Sequence, residues 1–422
     1  MPHASAAVAP VKAFFRVVTS AEARVQLAAF APKTSVETVP VVEAYGRVLA
    51  KALSTPVDLP HFHRTNMDGY AVRAQDTFGA SPSLPMYLKL VGTVEMGKEV
   101  KRALKKGETM RIATGGMLPP SADSMVMVEY TEEMGDGTVE VHRSVSPWEN
   151  ILRTGEDIKK GSPVFSAGRR LRAHDLGALT GVGITTVPVY RRPTVALIST
   201  GDEIVAPDQT PKPGQIRNVN QYSLRAMITE AGGDTLDLGV VKDDRPAFEK
   251  AMTQALKTAD VVMISGGSSV GTKDMTVDVI CSFLRSEVFF HGISIAPGKP
   301  TIFAKATGKP VMGLPGHPVS ALVVFALFGA PLIRLVGGEP AAAAFAPPRT
   351  TRARLAQNVA SAPGREDYVR VILERQNSDL LAHPLPGKSG AVFSLVKADG
   401  MVCIPYDEEG KEAGEEVEVI LF

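Results

Sequence analysis

The residues best suited to chemistry in this chain are carboxylates set beside glycine-rich turns. Val261 to Asp274 reads VVMISGGSSVGTKD: an apolar run short enough for a buried strand, then glycines, two serines and a closing acid. Gly266, Gly267 and Gly271 can adopt backbone angles closed to other residues, so successive N–H groups can turn toward one ligand, and Ser268 and Ser269 add hydroxyl donors. A helical pattern follows from Met275 to Leu284. The loop is therefore expected at a helix N-terminus, where anions are favoured and a charge-assisted hydrogen bond is worth roughly 1.5 to 3 kcal/mol. The implied chemistry is the cradling of a phosphate with Asp274 at the rim. Taken alone, an ordinary strand-to-helix turn fits the same residues.

The layout recurs. TVALIST (Thr194 to Thr200) ends in Gly201, Asp202 and Glu203, and Pro310 to Leu314 ends in Pro315, Gly316, His317 and Pro318 before an apolar helix that carries Ser320 in its first turn. Asp243 and Asp244 follow the apolar run Leu238 to Val241. If Glu203, Asp243 and Asp274 converge, they cannot all stay ionised and unpaired: two like charges about 4 Å apart repel by on the order of 4 kcal/mol at an effective dielectric near 20. A cation relieves this, and oxygen ligands beside a phosphate cradle suit Mg²⁺. The alternative is that each acid caps a helix or lies solvated in a loop.

What positions these residues is the alternation of strand and helix. Nearly continuous apolar strands with helices between them imply a parallel sheet covered on both faces, whose ligands lie beyond the carboxyl ends of the strands. Ahead of this region, Pro56 to Pro163 carries short β-type runs broken by turns, which predicts a small separate β-rich domain. Thr19 to Phe30 and Val41 to Leu53 read as two helices of an outlying piece. After AAAAFAPPR (Ala341 to Arg349), five strand-like runs spaced by turns predict a small barrel or sandwich.

Composition narrows the function. The 422 residues hold 46 Lys plus Arg against 45 Asp plus Glu, a formal charge of +1, so nothing marks a nucleic-acid or membrane-surface binder. Cys281 and Cys403 stand alone and form neither a disulfide framework nor a zinc pattern, which fits a reducing cytosol. No export signal is visible, and the apolar stretch Val319 to Ile333 stops short of the roughly 20 residues a span needs, so it is expected to be a core helix. Gly387, Lys388 and Ser389 look like the tail of a phosphate loop but lack its leading glycine. Asp68 beside Gly69, the run Thr114 to Gly116, and the turn Gly155, Glu156, Asp157 each read as structural when taken alone.

In order along the chain, GRVLA (46–50), MDGYAV (67–72), RIATGG (111–116), GEDI (155–158), STGDE (199–203), SGGSSVGTKD (265–274), PGKP (297–300) and GLPGHPVSALV (313–323) together resemble the molybdopterin molybdenumtransferase family, the MoeA proteins and the gephyrin E domain. The resemblance implies a multidomain α/β protein. Residues 193–345 would form a MogA-like molybdopterin-binding α/β domain, 55–163 a small β-rich domain, 1–54 plus 164–192 an elongated linker domain, and 346–422 a C-terminal β-barrel. It implies a cytoplasmic homodimer that cleaves adenylylated molybdopterin with Mg²⁺ and molybdate, releasing molybdenum cofactor and AMP. A MogA-type adenylyltransferase and molybdoenzyme acceptors would be its partners. By matching motifs, Glu203, Asp243 and Asp274 would be metal and catalytic acids. Asp68 would be a further catalytic acid, supplied like Thr114 from the facing subunit. Asp157, Ser265 to Ser269, Gly271, Pro315 and Ser320 would bind substrate, and Lys299, Pro300, Arg370 and Ser389 would receive molybdate.

This sequence departs from the family pattern at Leu152, where an arginine is frequent, at Ala296, where a basic residue is common, at His317 in place of an asparagine, and at His63 with Thr65. These bear on oxyanion affinity and on molybdate against tungstate. Two other functions compete: a non-catalytic molybdopterin-binding scaffold, and a nucleotide-pyrophosphate hydrolase on the same α/β module, as in the related CinA proteins.

Overall fold

The computed structural model describes residues 16–266, 275–347 and 349–422. Its central sheet runs in the order 234–241, 194–200, 261–265, 309–314, 302–306, 287–291. The first four strands are parallel, as their apolar character implies. Alternate residues of Thr194–Thr200 and Val261–Ser265 serve opposite faces. Val195, Leu197, Val261 and Met263 join Leu224 and Ile228 of the helix Asn220–Glu230 and Val323 and Phe328 of the helix Pro318–Val336. Ala196, Ile198, Val262 and Ile264 join Phe248 and Met252 of the helix Arg245–Thr258 and Ile280 of the helix Met275–Ser282. Helix Pro318–Val336 is therefore a mostly buried core element, as expected.

The sheet is not parallel throughout. Ile302–Ala306 and Glu287–His291 run antiparallel at one edge. Thr307 and Gly308 both have positive φ, 50° and 82°, which makes a two-residue hairpin between Ala306 and Lys309. So short a connection cannot carry the crossover that parallel strands require.

A second sheet, ordered 124–127, 69–72, 108–112, 86–93, 138–141, 131–133, forms the small β-rich body. Val36–Pro40 pairs antiparallel with Thr186–Tyr190, and Leu53–Ser54 with Pro163–Phe165, so the chain enters and leaves this body side by side. At the C-terminus five strands close on themselves as a barrel: Glu366–Gln376, Asp379–Pro384, Thr350–Leu355, Glu416–Leu421 and Gly400–Ile404, the last pairing back to the first. Ile295–Ala296 adds to the barrel strand Glu366–Gln376 and so joins the barrel to the α/β body.

Two expectations near the N-terminus need correction. The helix Ser20–Ala29, capped by Thr19 and Glu22, is not outlying: Ala23 and Leu27 lie in one apolar cluster with Phe328 and with Tyr368 of the barrel. Of the second expected helix, Val41 to Leu53, only Val41–Glu43 is helical. Gly46 takes φ 71°, and the N–H groups of Gly46, Leu49 and Ala50 donate to Leu171, Arg169 and Pro188, so the backbone bonds a neighbouring segment instead of itself.

Candidate functional site

The three strand-to-loop turns open on one edge of the sheet, as the strand direction requires, and border a cavity of about 1480 Å³. Its floor is built by close backbone approach. Gly266 follows the strand Val261–Ser265 at φ 106°, and a Cβ there would lie 2.4 Å from the Thr200 carbonyl oxygen, so only glycine fits. A Cβ on Gly316 would stand 3.6 Å from the Gly266 Cα. Asn220, the first residue of its helix, ties these turns together: its Nδ2 donates to Ser265 Oγ at 2.9 Å and to the Gly316 carbonyl at 2.8 Å. Because the Gly316 oxygen can only accept, the amide orientation is fixed by the network. Pro315 and the buried Ser320 complete this side.

Glu203 and Asp243 line the cavity from two adjacent strand ends. The Glu203 carboxylate folds back over Gly201, where a Cβ would meet its oxygens at 2.8 and 2.9 Å. The Asp243 N–H donates to Asp202 Oδ1 at 3.3 Å. Loss of hydration at the cavity wall, followed by the charges of Asp202 and Glu203, pushes the Asp243 carboxyl above the ordinary aspartate value of 3.8. A like-charged trio of oxygen donors fits a hard divalent cation such as Mg²⁺. Among the described residues, the one group of three whose ligand atoms all lie within 4.8 Å of one another is Glu132, Glu140 and His142 on the small β-rich body. Asp202, Glu203 and Asp243 do not form such a group, and a Mg²⁺ held by Glu203 and Asp243 would take further oxygens from substrate and water.

Another part of the cavity wall is cationic and hydroxylic. Lys299 and Pro300 line it, with Ser389 from the barrel. Ser389 Oγ lies 2.9 Å from His317 Nδ1, and its carbonyl accepts the Val319 N–H at 3.0 Å. Arg370, expected at the oxyanion, is buried beneath this segment: its Nη2 donates to the Gly387 carbonyl at 2.7 Å, and burial lowers its pKa. Arg370 does not line the cavity and braces the loop that carries Ser389. Arg365, held by Asp367 at 2.9 Å, supplies the guanidinium at the wall instead.

Asp68 and Thr114 come together in the small β-rich body, where Asp68 Oδ1 accepts from the Thr114 N–H and Oγ1, each at 2.7 Å. These two bonds, the backbone one first, hold the Asp68 carboxyl below its ordinary value. Neither residue borders the cavity of its own chain. Asp157 also stands apart from it, in a turn closed by its N–H to the Leu59 carbonyl at 3.1 Å. Gly267, Ser268, Ser269, Gly271 and Asp274 lie outside the described residues. Sequence reasoning missed Asn220, Arg365 and Asp202 as site residues. The local signal for Asn220 was the pair Asn218 and Asn220 just ahead of an amphipathic helix; Arg365 gave none.

Comparison with known proteins follows this division of the chain. Residues 17–183 match the MoeA N-terminal region (domain I and II), residues 196–335 the family described as "Probable molybdopterin binding domain", and residues 352–422 the MoeA C-terminal region (domain IV). A molybdopterin biosynthesis protein of Methanocaldococcus jannaschii is 37% identical over 396 residues, 92% of each chain. A molybdopterin molybdenumtransferase of Nostoc sp. is 33% identical over 389 residues, 91% of this chain and 88% of that one. The crystal structure of a molybdopterin biosynthesis MoeA protein from Pyrococcus horikoshii OT3 superposes with a TM-score of 0.83 at 31% identity, over 96% of this chain and 100% of the other.

Proposed function

Because the chain belongs to the MoeA family of molybdopterin molybdenumtransferases, we propose that it cleaves adenylylated molybdopterin, with molybdate as second substrate, to give molybdenum cofactor and AMP. The observation that carries this reading is one cavity with a glycine-built floor that gathers the acids Glu203 and Asp243 with the cationic and hydroxyl groups of Lys299, Arg365 and Ser389. A phosphorylated ligand is held by the floor, where Asn220 keeps the turns at Gly266 and Gly316 in contact. Glu203, Asp243 and Asp274 would hold Mg²⁺, which when bound neutralises and polarises phosphoanhydride oxygens. Lys299, Arg365 and the Ser389 hydroxyl receive the oxyanion, since a tetrahedral dianion requires positive charge and several donors. Arg370 supports that corner from below.

Asp68 and Thr114 form a matched pair away from the cavity, which suits a homodimer whose facing subunit brings them to the substrate. In the same reading the domains extend over 1–54 with 164–192, 55–163, 193–345 and 346–422. The protein would act in the cytoplasm, taking its substrate from a MogA-type adenylyltransferase and passing its product to molybdoenzymes. The test is AMP release from adenylylated molybdopterin over a molybdate and tungstate titration with Mg²⁺. Cleavage that rises with oxyanion is expected. Cleavage indifferent to it would indicate a pyrophosphate hydrolase, and none a scaffold.

A further inference from the structure

The junction between His317 and Ser389 is built in an uncommon way. His317 stands at the N-cap of the helix Pro318–Val336, where a side chain ordinarily turns back to a free N–H of its own helix. It makes no such bond. The barrel supplies the cap instead, through the Ser389 carbonyl on the Val319 N–H, and the His317 ring turns outward to the Ser389 hydroxyl. Among the described residues Ser389 Oγ has no other hydrogen-bond partner. His317 is exposed and Ser389 half-buried, and both border the cavity beside Lys299 and Arg365, so a ligand can reach the pair.

A hydroxyl carries one proton and two lone pairs. If Ser389 gives that proton to His317, it shows the cavity only lone pairs, which repel an anion. If it receives an N–H from the ring, its own proton is free for the ligand. We propose that His317 is a positioning residue for the oxyanion: its Nδ1–H donates to Ser389 Oγ and so aims the Ser389 proton at the bound substrate. The proposal rests on the reading that molybdate binds at the wall formed by Lys299 and Ser389, and it deepens that reading by assigning the donor that prepares the site.

The test is steady-state AMP release by the full chain, with KM measured separately for molybdate and for adenylylated molybdopterin. The variants are H317N, H317A, H317D, S389A and the double variant H317A/S389A. An asparagine amide can hold an N–H near the position of Nδ1, alanine cannot, and an aspartate can only accept. The molybdate KM is expected to stay within about twofold in H317N, to rise about three- to tenfold in H317A and to rise further in H317D, the range following from the loss of one hydrogen bond. The KM for adenylylated molybdopterin should not move, and H317A/S389A should be no worse than S389A. Equal impairment of H317N and H317A, a joint rise of both KM values, or additive single effects would overturn the proposal. A normal H317A beside an impaired S389A would refute His317 alone, while an unimpaired S389A would refute the molybdate assignment at this wall and the proposal with it.

Discussion

Asp175 and Asp243 are both aspartates placed against neighbouring charge, and they titrate in opposite directions. Asp175 is only 2% exposed. Burial alone would raise its pKa, yet Arg169, at 2.8 and 3.1 Å, and the Arg172 N–H, at 2.9 Å, more than offset that and hold it far below the ordinary carboxylate range. Asp243 is reachable by solvent but is pushed up, by lost hydration and by Asp202 and Glu203. Burial raises both groups: at Asp175 the arginine hydrogen bonds outweigh it, while at Asp243 lost hydration leads and the neighbouring acids add to it. Paired arginines make Asp175 a structural brace. Gathered acids with no cationic side chain among the causes of the shift make the Asp243 edge a place where the fold bears a repulsion, which suits the proposed cation site.

The sharpest way to separate the two is Asp243→Asn. It should lower AMP release about 100-fold or more, the scale seen when one charge-stabilising group is removed from an active site. Its melting temperature should equal or exceed that of the wild type in calorimetry, because a repulsion is relieved. Asp175→Asn should do the reverse, destabilising the fold by about 2 to 4 kcal/mol in chemical denaturation through two unpaired arginines, with both KM values unchanged. Gly266→Ala tests the floor. A Cβ pressed to 2.4 Å from the Thr200 carbonyl must displace a strand end, and about 1 to 3 kcal/mol of stability should go with it, together with substrate affinity.

The smallest effect is the pH slope. A carboxyl raised on folding, like Asp243, weakens the fold as pH rises from the ordinary value of 3.8 through its raised value, and the penalty stays in full above that. A carboxyl lowered on folding, like Asp175, contributes stability above its ordinary value that is lost as pH falls. The stability of the wild type relative to Asp243→Asn should therefore slope downward as pH rises across the mildly acidic range. Added Mg²⁺ should flatten the same slope in the wild type and leave the variant unmoved.

Much of the site was legible because its signals are local. A buried strand, a glycine and an acid within a few residues were enough to bring Glu203, Asp243, Gly266 and Pro315 to one sheet edge. The bonds of Asn220 were not legible, since its two partners lie 45 and 96 positions away. The exchange of Arg370 for Arg365 at the cavity wall depends on how the barrel strand Glu366–Gln376 meets Ile295–Ala296, a pairing that no window of sequence contains. The antiparallel sheet edge was available in Thr307 and Gly308 but was masked by the strand-helix alternation that dominates the region. The helix Ser20–Ala29 announced itself by its apolar spacing; what it packs against depends on a partner cluster hundreds of residues later.

The central claim is that Glu203 and Asp243 hold a divalent cation beside the phosphate pocket. Anomalous scattering from Mn²⁺ in crystals of the full chain grown with AMP tests it most directly. A peak is expected between Glu203 and Asp243, lost in Asp243→Asn. A peak at Glu132, Glu140 and His142 alone, with density for AMP and no metal beside Asp243, would contradict the account.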